Sequence, residues 1–274
     1  MNKFDFPTYD IISFEREIPK GVTRPLLMRT THDLYVVKTI DAKEEPKVLI
    51  NEFVCYKLAK LLGLPIPNAA LVRINEAFIA SSPELKDLGV QPGIHFGSQF
   101  VNKSQSSIQP PMLNIMVNKE DIPAIIIFDH IVYNDDRTVN KGNLLFDIKE
   151  KRLLIIDHSH VFKIGALWDE FQLRRIMKEQ LCLVKEFHGH NYRILLKCVN
   201  GHNPFNKILE TIKGLKVEDI EWCLDGIPDE WGLTDGEKSA LSDFILHRIQ
   251  NINTFLMLIK DQCPSWKGGA ISEC

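Results

Sequence analysis

The sequence predicts an α+β protein in two unlike halves, and three observations predict it. Short apolar runs broken by turn residues fill the first hundred positions, helical periodicities fill most of the remainder, and one apolar hairpin interrupts the helices. Strands gathered in one half and helices in the other indicate segregated layers rather than a doubly wound sheet. With 274 residues, 45% hydrophobic and 25% charged, the chain is long and apolar enough to bury a substantial core.

In order, residues 11–16, 25–30 and 34–40 read as strands. A helix follows over 47–62, where Ile50, Val54, Leu58 and Leu61 recur at helical spacing. Gly63 suits its C-terminal cap, and Pro65 and Pro67 prevent its continuation. Residues 70–74 and 96–101 read as further strands. The Ser-, Gln- and Pro-rich stretch 102–111 reads as a loop, and the lobe boundary is placed at its start, giving units 1–101 and 102–274. Beyond it, helices are expected over 122–133, 167–183, 205–212, 217–224 and 235–260. The runs 143–147 and 152–156, separated by the charged turn IKEK, form the hairpin. Trp222, Trp231 and Trp266 are expected to anchor the C-terminal helices, with Asp229 and Glu230 as exposed charge.

Several function classes fall away. A formal charge of −3 provides no global basic field for nucleic acid. No apolar run reaches the roughly 18 residues of a membrane span, and MNKFDFPTYD lacks the long apolar stretch of a secretory signal. There is no basic amphipathic helix or polybasic cluster to hold an anionic bilayer. Cys55, Cys182, Cys198, Cys223, Cys263 and Cys274 contain no Cys-x-x-Cys pair, so reduced thiols in a cytoplasmic protein are expected. His158, His160, His188 and His190 form two His-x-His pairs without zinc spacing.

The chemistry concentrates in FDHIVYNDDRTVNKGNLLFDIKEKRLLIIDHSH, residues 128–160. A nearly all-apolar helix, buried on most sides, leads into a loop dense in Asp, Asn and Arg. A hairpin follows, and its second strand ends at Asp157. A protein-kinase catalytic floor is built in this order: one loop Asp takes the substrate hydroxyl proton, an Asn holds magnesium, and a later Asp holds the magnesium that bridges the phosphates. Asp and Asn also suit ordinary loops. An aspartate closing the strand LLII is another matter, since it is costly there without a cation or hydrogen-bond partners. His158 is expected to order the loop around it, and Asp129 and His130 to form a buried structural pair.

The first half supplies complementary residues. In LYVVKTI, alternation puts Leu34, Val36, Lys38 and Ile40 on one strand face. A lysine in an apolar face calls for an anion, either a phosphate or a carboxylate such as Glu52 on the next helix. The bland alternative is a Lys38 that reaches outward to water and a solvated Glu52. No Gly-x-Gly-x-x-Gly or Walker-type loop is present; Gly21-Val22-Thr23-Arg24 is the only candidate turn to cover phosphates.

These residues resemble the HipA-like kinases, specifically a short bacterial branch. The resemblance runs through GVTRPLLMRT, YVVK with NEFVCYKLAKLLGLPIPNAALV, PGIHFGS, FDHIVYNDDRTVNKGNLLF, LLIIDHSHVF and IPDEW. It implies a bilobal protein-kinase-like fold with ATP between the lobes and Mg2+, or Mn2+ in its place. It also implies Lys38 on the phosphates, Glu52 as its partner, Asp136 as the catalytic aspartate and Asp157 as the metal aspartate. Strand 96–101 would lead through Phe100 and Val101 into the hinge that receives adenine. In the family the metal-binding Asn lies five positions after the loop Asp. Here Asn143 lies seven after Asp136, while Asn140 lies five after Asp135. The pair Asp136 and Asn143 is favoured; Asp135 with Asn140 is the other register. The resemblance implies transfer of phosphate to a protein Ser or Thr hydroxyl, with a small-molecule hydroxyl left open; Ser104, Ser106 and Ser107, in the polar loop at the lobe boundary, are candidates for self-modification. The competing readings are a nucleotide-binding regulatory module without turnover, and AMP transfer from the same site.

Overall fold

The computed structural model describes residues 6–18, 24–40 and 46–269. The first half contains β1 (Thr8–Glu17), β2 (Leu26–Thr30), β3 (Leu34–Lys38), helix α1 (Lys47–Leu61), β4 (Ala69–Ile74), the short helices α2 (Glu76–Ser81) and α3 (Pro83–Asp87), and β5 (Gly93–Gln99). The five strands close into a barrel in the order β1-β2-β3-β5-β4. Its neighbours are antiparallel except β1 and β4, which run parallel. Alternation along β3 divides its side chains as a pleated strand must. Tyr35 and Val37 enter the barrel core with Met28, Ala70 and Val72, while Val36 and Lys38 line a cleft outside it. Leu85 and Val90 add to the barrel core. The short helices α2 and α3 that precede Val90 lack a long apolar repeat and escape a periodicity reading. Asn75 caps α2 by accepting from the Phe78 N–H at 2.7 Å.

Helix α1 is buried on nearly every side, including the polar Asn51, Glu52 and Lys57. It ends as expected at Gly63, whose φ of +69° is the left-handed conformation glycine adopts most readily. The Gly63 and Leu64 amides donate to Lys60 O and Ala59 O, closing the helix end.

The second half comprises β6 (Ser104–Ser106), α4 (Met112–Ile115), α5 (Ile122–Ile131), β7 (Leu144–Asp147), β8 (Arg152–Ile155), α6 (Glu170–Ile176), α7 (Tyr192–Leu195), β9 (Gly201–His202), α8 (Asn206–Lys213), α9 (Val217–Cys223), α10 (Asp235–Gln250), α11 (Ile252–Asp261) and β10 (Trp266–Lys267). The stretch expected as a loop holds β6, which joins the hairpin in a sheet ordered β6-β7-β8. The expected boundary at 101/102 falls between β5 and β6. The helix expected over 167–183 shrinks to α6, started by Asp169 accepting from the Gln172 N–H at 2.7 Å. The long final helix divides at Asn251, whose side chain donates back to His247 O at 2.8 Å.

Helix α5 forms the centre of the main core: Ile122, Ile125, Ile126, Ile127, Phe128 and Ile131 are fully buried. Trp231 and Trp266 are buried and Trp222 is packed against the same core. Trp231 does more than anchor C-terminal helices. Its indole N–H donates to Ile94 O at 2.8 Å and its ring meets Phe53 of α1 edge-on, so it ties the barrel to the helical half. Glu230 is exposed, yet it accepts from the Ile94 N–H. The result is a two-lobed α+β molecule. Among the described residues no helix is long and apolar enough to cross a membrane.

Candidate active site

A cleft of about 970 Å³ lies between the barrel and the β6-β7-β8 sheet. Its walls are apolar at Val36, Phe96, Phe100, Leu145 and Ile155, and its floor carries Lys38, Glu52, Asn140, Asn143 and Asp157.

Strand β3 delivers Lys38 into this cleft, where it is 8% exposed. It does not reach outward to water. Its ammonium bonds Glu52 of α1 and, at 2.7 Å, Oδ1 of Asp157 just beyond β8. Burial works against the Lys38 charge, but the two carboxylates outweigh it and raise the lysine above its ordinary value. Burial likewise opposes the Asp157 charge. Lys38 first, then hydrogen bonds from Lys38 and Ser159, overcome it and hold this carboxyl below the usual range. Asp157 has a φ of +57°, a left-handed backbone unfavourable for a residue with a Cβ. Ser159 supports that turn by donating its hydroxyl to Asp157 Oδ1 at 2.7 Å. The bonds Asp157 accepts from described residues all fall on Oδ1.

His158 does order this loop. Its backbone N–H donates to Glu52 Oε1 at 2.9 Å, and its ring Nδ1 lies 3.3 Å from Glu52 Oε2. Lys38, Glu52, His158 and Asp157 thus close a ring that fixes α1 against the end of β8. Burial opposes the Glu52 charge, and Lys38 followed by His158 reverses this, leaving its carboxyl lowered.

The loop after α5 carries the second group. Asp136 begins a 3-10 turn, Asp136–Thr138, and its amide donates to Asn134 Oδ1 at 3.1 Å. Its Oδ2 accepts from Asn143 Nδ2 at 2.6 Å and from Asn140 Nδ2 at 3.0 Å. Asp135 points elsewhere, accepting the Lys185 N–H at 2.7 Å. The structure therefore brings Asp136 together with both asparagines and separates Asp135 from them. A second turn, Lys141–Asn143, takes up the extra two residues between Asp136 and Asn143. Gly189 is required alongside, since a Cβ there would lie 2.5 Å from Thr138 O.

Arg137 was not singled out by sequence reasoning, although it sits in the motif. It is fully buried. Its Nε donates to Asp129 Oδ1 at 2.9 Å, and its Nη1 donates to the carbonyls of Asn143 and Ile156. Asp129 and His130 are both buried, as expected, but do not pair. Asp129 holds Arg137 and Tyr192, while His130 bonds Ile126 O and the Val184 amide.

Of the expected nucleotide contacts, Phe100 and Val101 line the cleft. The Phe100 amide is taken by Leu34 O at 2.9 Å, and Val101 O accepts from the Ser104 hydroxyl at 2.9 Å. Arg24 pairs through two nitrogens with Glu17 and does not line the cleft. Gly21, Val22 and Thr23 lie outside the described residues.

A divalent cation fits the floor by its donor chemistry. One ammonium faces two carboxylates, and Asn143 Oδ1 is buried without a hydrogen-bond partner. Hard oxygen donors of this kind suit magnesium or manganese. No cluster of three His, Cys, Asp or Glu side chains able to hold a metal occurs among the described residues.

A family model for HipA-like kinases matches residues 11–261. The chain belongs to the HipA-like kinase family. It is a kinase-type phosphotransferase with the bilobal, protein-kinase-like fold. The crystal structure of a Helicobacter pylori proinflammatory kinase, CtkA, is similar with a TM-score of 0.58 at 13% identity, covering 93% of this chain and 98% of that one. At such identity the likeness speaks for the fold alone. More distant are a Golgi casein kinase with Mn/ADP bound (TM-score 0.46, 10% identity, 92% and 73% coverage) and HipA of Shewanella oneidensis MR-1 in complex with HipB and operator DNA (0.44, 11%, 91% and 68%). No curated protein matches the sequence.

Proposed function

We propose that this HipA-like kinase transfers the terminal phosphoryl group of ATP, with Mg2+ or Mn2+, to a Ser or Thr hydroxyl of a protein. The observation that carries the reading is the convergence of Lys38, Glu52 and Asp157 with Asp136 and Asn143 around one apolar-walled cleft. Adenine lies between the apolar walls beside Phe100 and Val101, and Lys38 reaches the phosphates. Asn143 Oδ1 and Asp157 Oδ2 are the metal donors. When bound, the metal neutralises phosphate charge during transfer. The Asn143 amide serves both sides, since its Nδ2 already donates to Asp136. Asp136 Oδ1 then orients the acceptor hydroxyl and takes its proton.

The test is Asp157→Asn. The variant is expected to fold and to bind ATP without metal as the parent does, but to lose most of the gain in affinity that magnesium confers. Calorimetry showing unchanged magnesium-ATP affinity in the folded variant would remove Asp157 from the site.

A further inference from the structure

We propose that Arg137 is a positioning residue that sets the separation of the two metal donors, Asn143 and Asp157. The inference rests on the metal reading above and deepens it.

The hairpin that presents these residues is short. Its ladder runs from Asp147↔Arg152 to Leu144↔Ile155, so Asn143 and Ile156 lie just past its open end, and Asp157 follows immediately. Strand pairs held by few bonds open from their ends. Beyond the last ladder pair the Ile156 amide reaches Asn143 O at 3.3 Å, a long bond. Arg137 closes this end. A single nitrogen, Nη1, donates to Asn143 O and, at 2.9 Å, to Ile156 O. One bonded carbonyl therefore belongs to a metal donor and the other to the residue before the second donor.

The guanidinium is itself fixed from behind. Its Nε donates to Asp129 Oδ1 at 2.9 Å, and Asp129 Oδ2 accepts from the Tyr192 hydroxyl at 2.9 Å. Asn191 Nδ2 donates to the Arg137 carbonyl at 2.9 Å. Arg137, Asp129, Tyr192 and Asn191 are all 0% exposed. A buried ion pair is a poor device for stability alone, since apolar side chains of similar volume serve as well or better. The planar guanidinium does what an apolar side chain cannot: it binds α5 and two hairpin carbonyls at fixed angles. Lysine keeps the charge that Asp129 requires but loses that geometry.

Arg137→Lys is compared with the parent, Asp157→Asn and Asn143→Ala, with ADP and Mn2+ as probes. Three quantities are read: melting temperature, ADP affinity without metal, and Mn2+ affinity of the ADP-loaded protein by electron paramagnetic resonance. Arg137→Lys is expected to melt near the parent and to bind ADP alone equally well. Its Mn2+ affinity is expected to fall about 10- to 100-fold, the usual effect of removing a support behind a metal ligand. Unchanged Mn2+ affinity, or equal losses with and without metal, overturns the proposal while Asp157→Asn and Asn143→Ala still lose metal. If those two variants also retain metal, the ligand assignment falls and the proposal with it. Should Arg137→Lys fail to fold, Tyr192→Phe decides: it loosens the anchor on Asp129, and a metal-specific loss supports the proposal where none rejects it.

Discussion

Asp135 and Asp136 are adjacent, identical in chemistry and separated in environment by what their carboxylates meet. Asp136 is held by two asparagines of its own loop, whereas Asp135 is held by the backbone of Lys185, fifty residues away in sequence. That long-range contact is why the sequence left two registers open. Spacing favoured Asp135 with Asn140 and the GNLL element favoured Asn143, and only the tandem 3-10 turns show how Asp136 and Asn143 meet across seven residues. Lys38 and Asp157 were legible because charge at the end of apolar strands is conspicuous. Arg137 was not, since nothing local reveals that an arginine in a polar loop turns inward. Asp136→Ala is expected to lower kcat about 10²- to 10⁴-fold, the range for a positioned proton acceptor, with the KM for ATP nearly unchanged. Asp135→Ala is expected to keep kcat within a few-fold and to lose stability instead, because the bond from the Lys185 amide disappears. Steady-state kinetics of the two variants, side by side, check this; the opposite ranking would assign the role to Asp135.

At the scale of elements, burial decides what the sequence could show. Helices α1 and α5 were legible because long apolar repeats have one outcome in water. β6 was not, since Ser-Gln-Ser has no strand signature and is recruited by pairing with β7. The helix expected over 167–183 ends early, and beyond it Glu179 pairs with Lys163 instead of continuing a helical face. Strand β5 contains a further feature with a measurable consequence. His95 is buried in the barrel lobe, accepting the Ile40 N–H on Nδ1 and bonding Gln91 O through Nε2, and burial lowers its pKa to about 4. His130 in α5 is lowered to about 3 for the same reason. Below about pH 6.5 the unfolded chain takes up protons that these folded rings refuse until much lower pH, so stability falls as pH falls through this window. At pH 5 the loss is about 2 kcal/mol for each ring. Urea unfolding at pH 7.5 and pH 5 is expected to show this loss, and His95→Gln to reduce the difference by about 2 kcal/mol. An unchanged difference in the variant would place the acid sensitivity elsewhere.

For the whole molecule, the lobes constrain what receives the phosphate through surface rather than fold. The cleft is walled by the barrel on one side and the hairpin sheet on the other, and Asp136 lies at its helical-lobe edge, held by cleft-lining asparagines. A net charge of −3 supplies no general attraction to an anionic bilayer. A protein hydroxyl is the acceptor we expect, carried on a segment extended enough to reach Asp136. Ser104, Ser106 and Ser107 line the cleft itself, and the Ser104 hydroxyl already donates to Val101 O. Phosphate on these serines would crowd the nucleotide beside Phe100 and Val101. Self-modification there is therefore expected to pass between molecules and to slow as it proceeds. Incubation with γ-labelled ATP, alone and with cell lysate, should place label on protein Ser or Thr, and Asp136→Ala should abolish it. An initial rate of self-labelling that rises with the square of protein concentration would establish transfer between molecules. Label confined to a metabolite or lipid, with none on any protein, would overturn the assignment of a protein acceptor while leaving the nucleotide site intact.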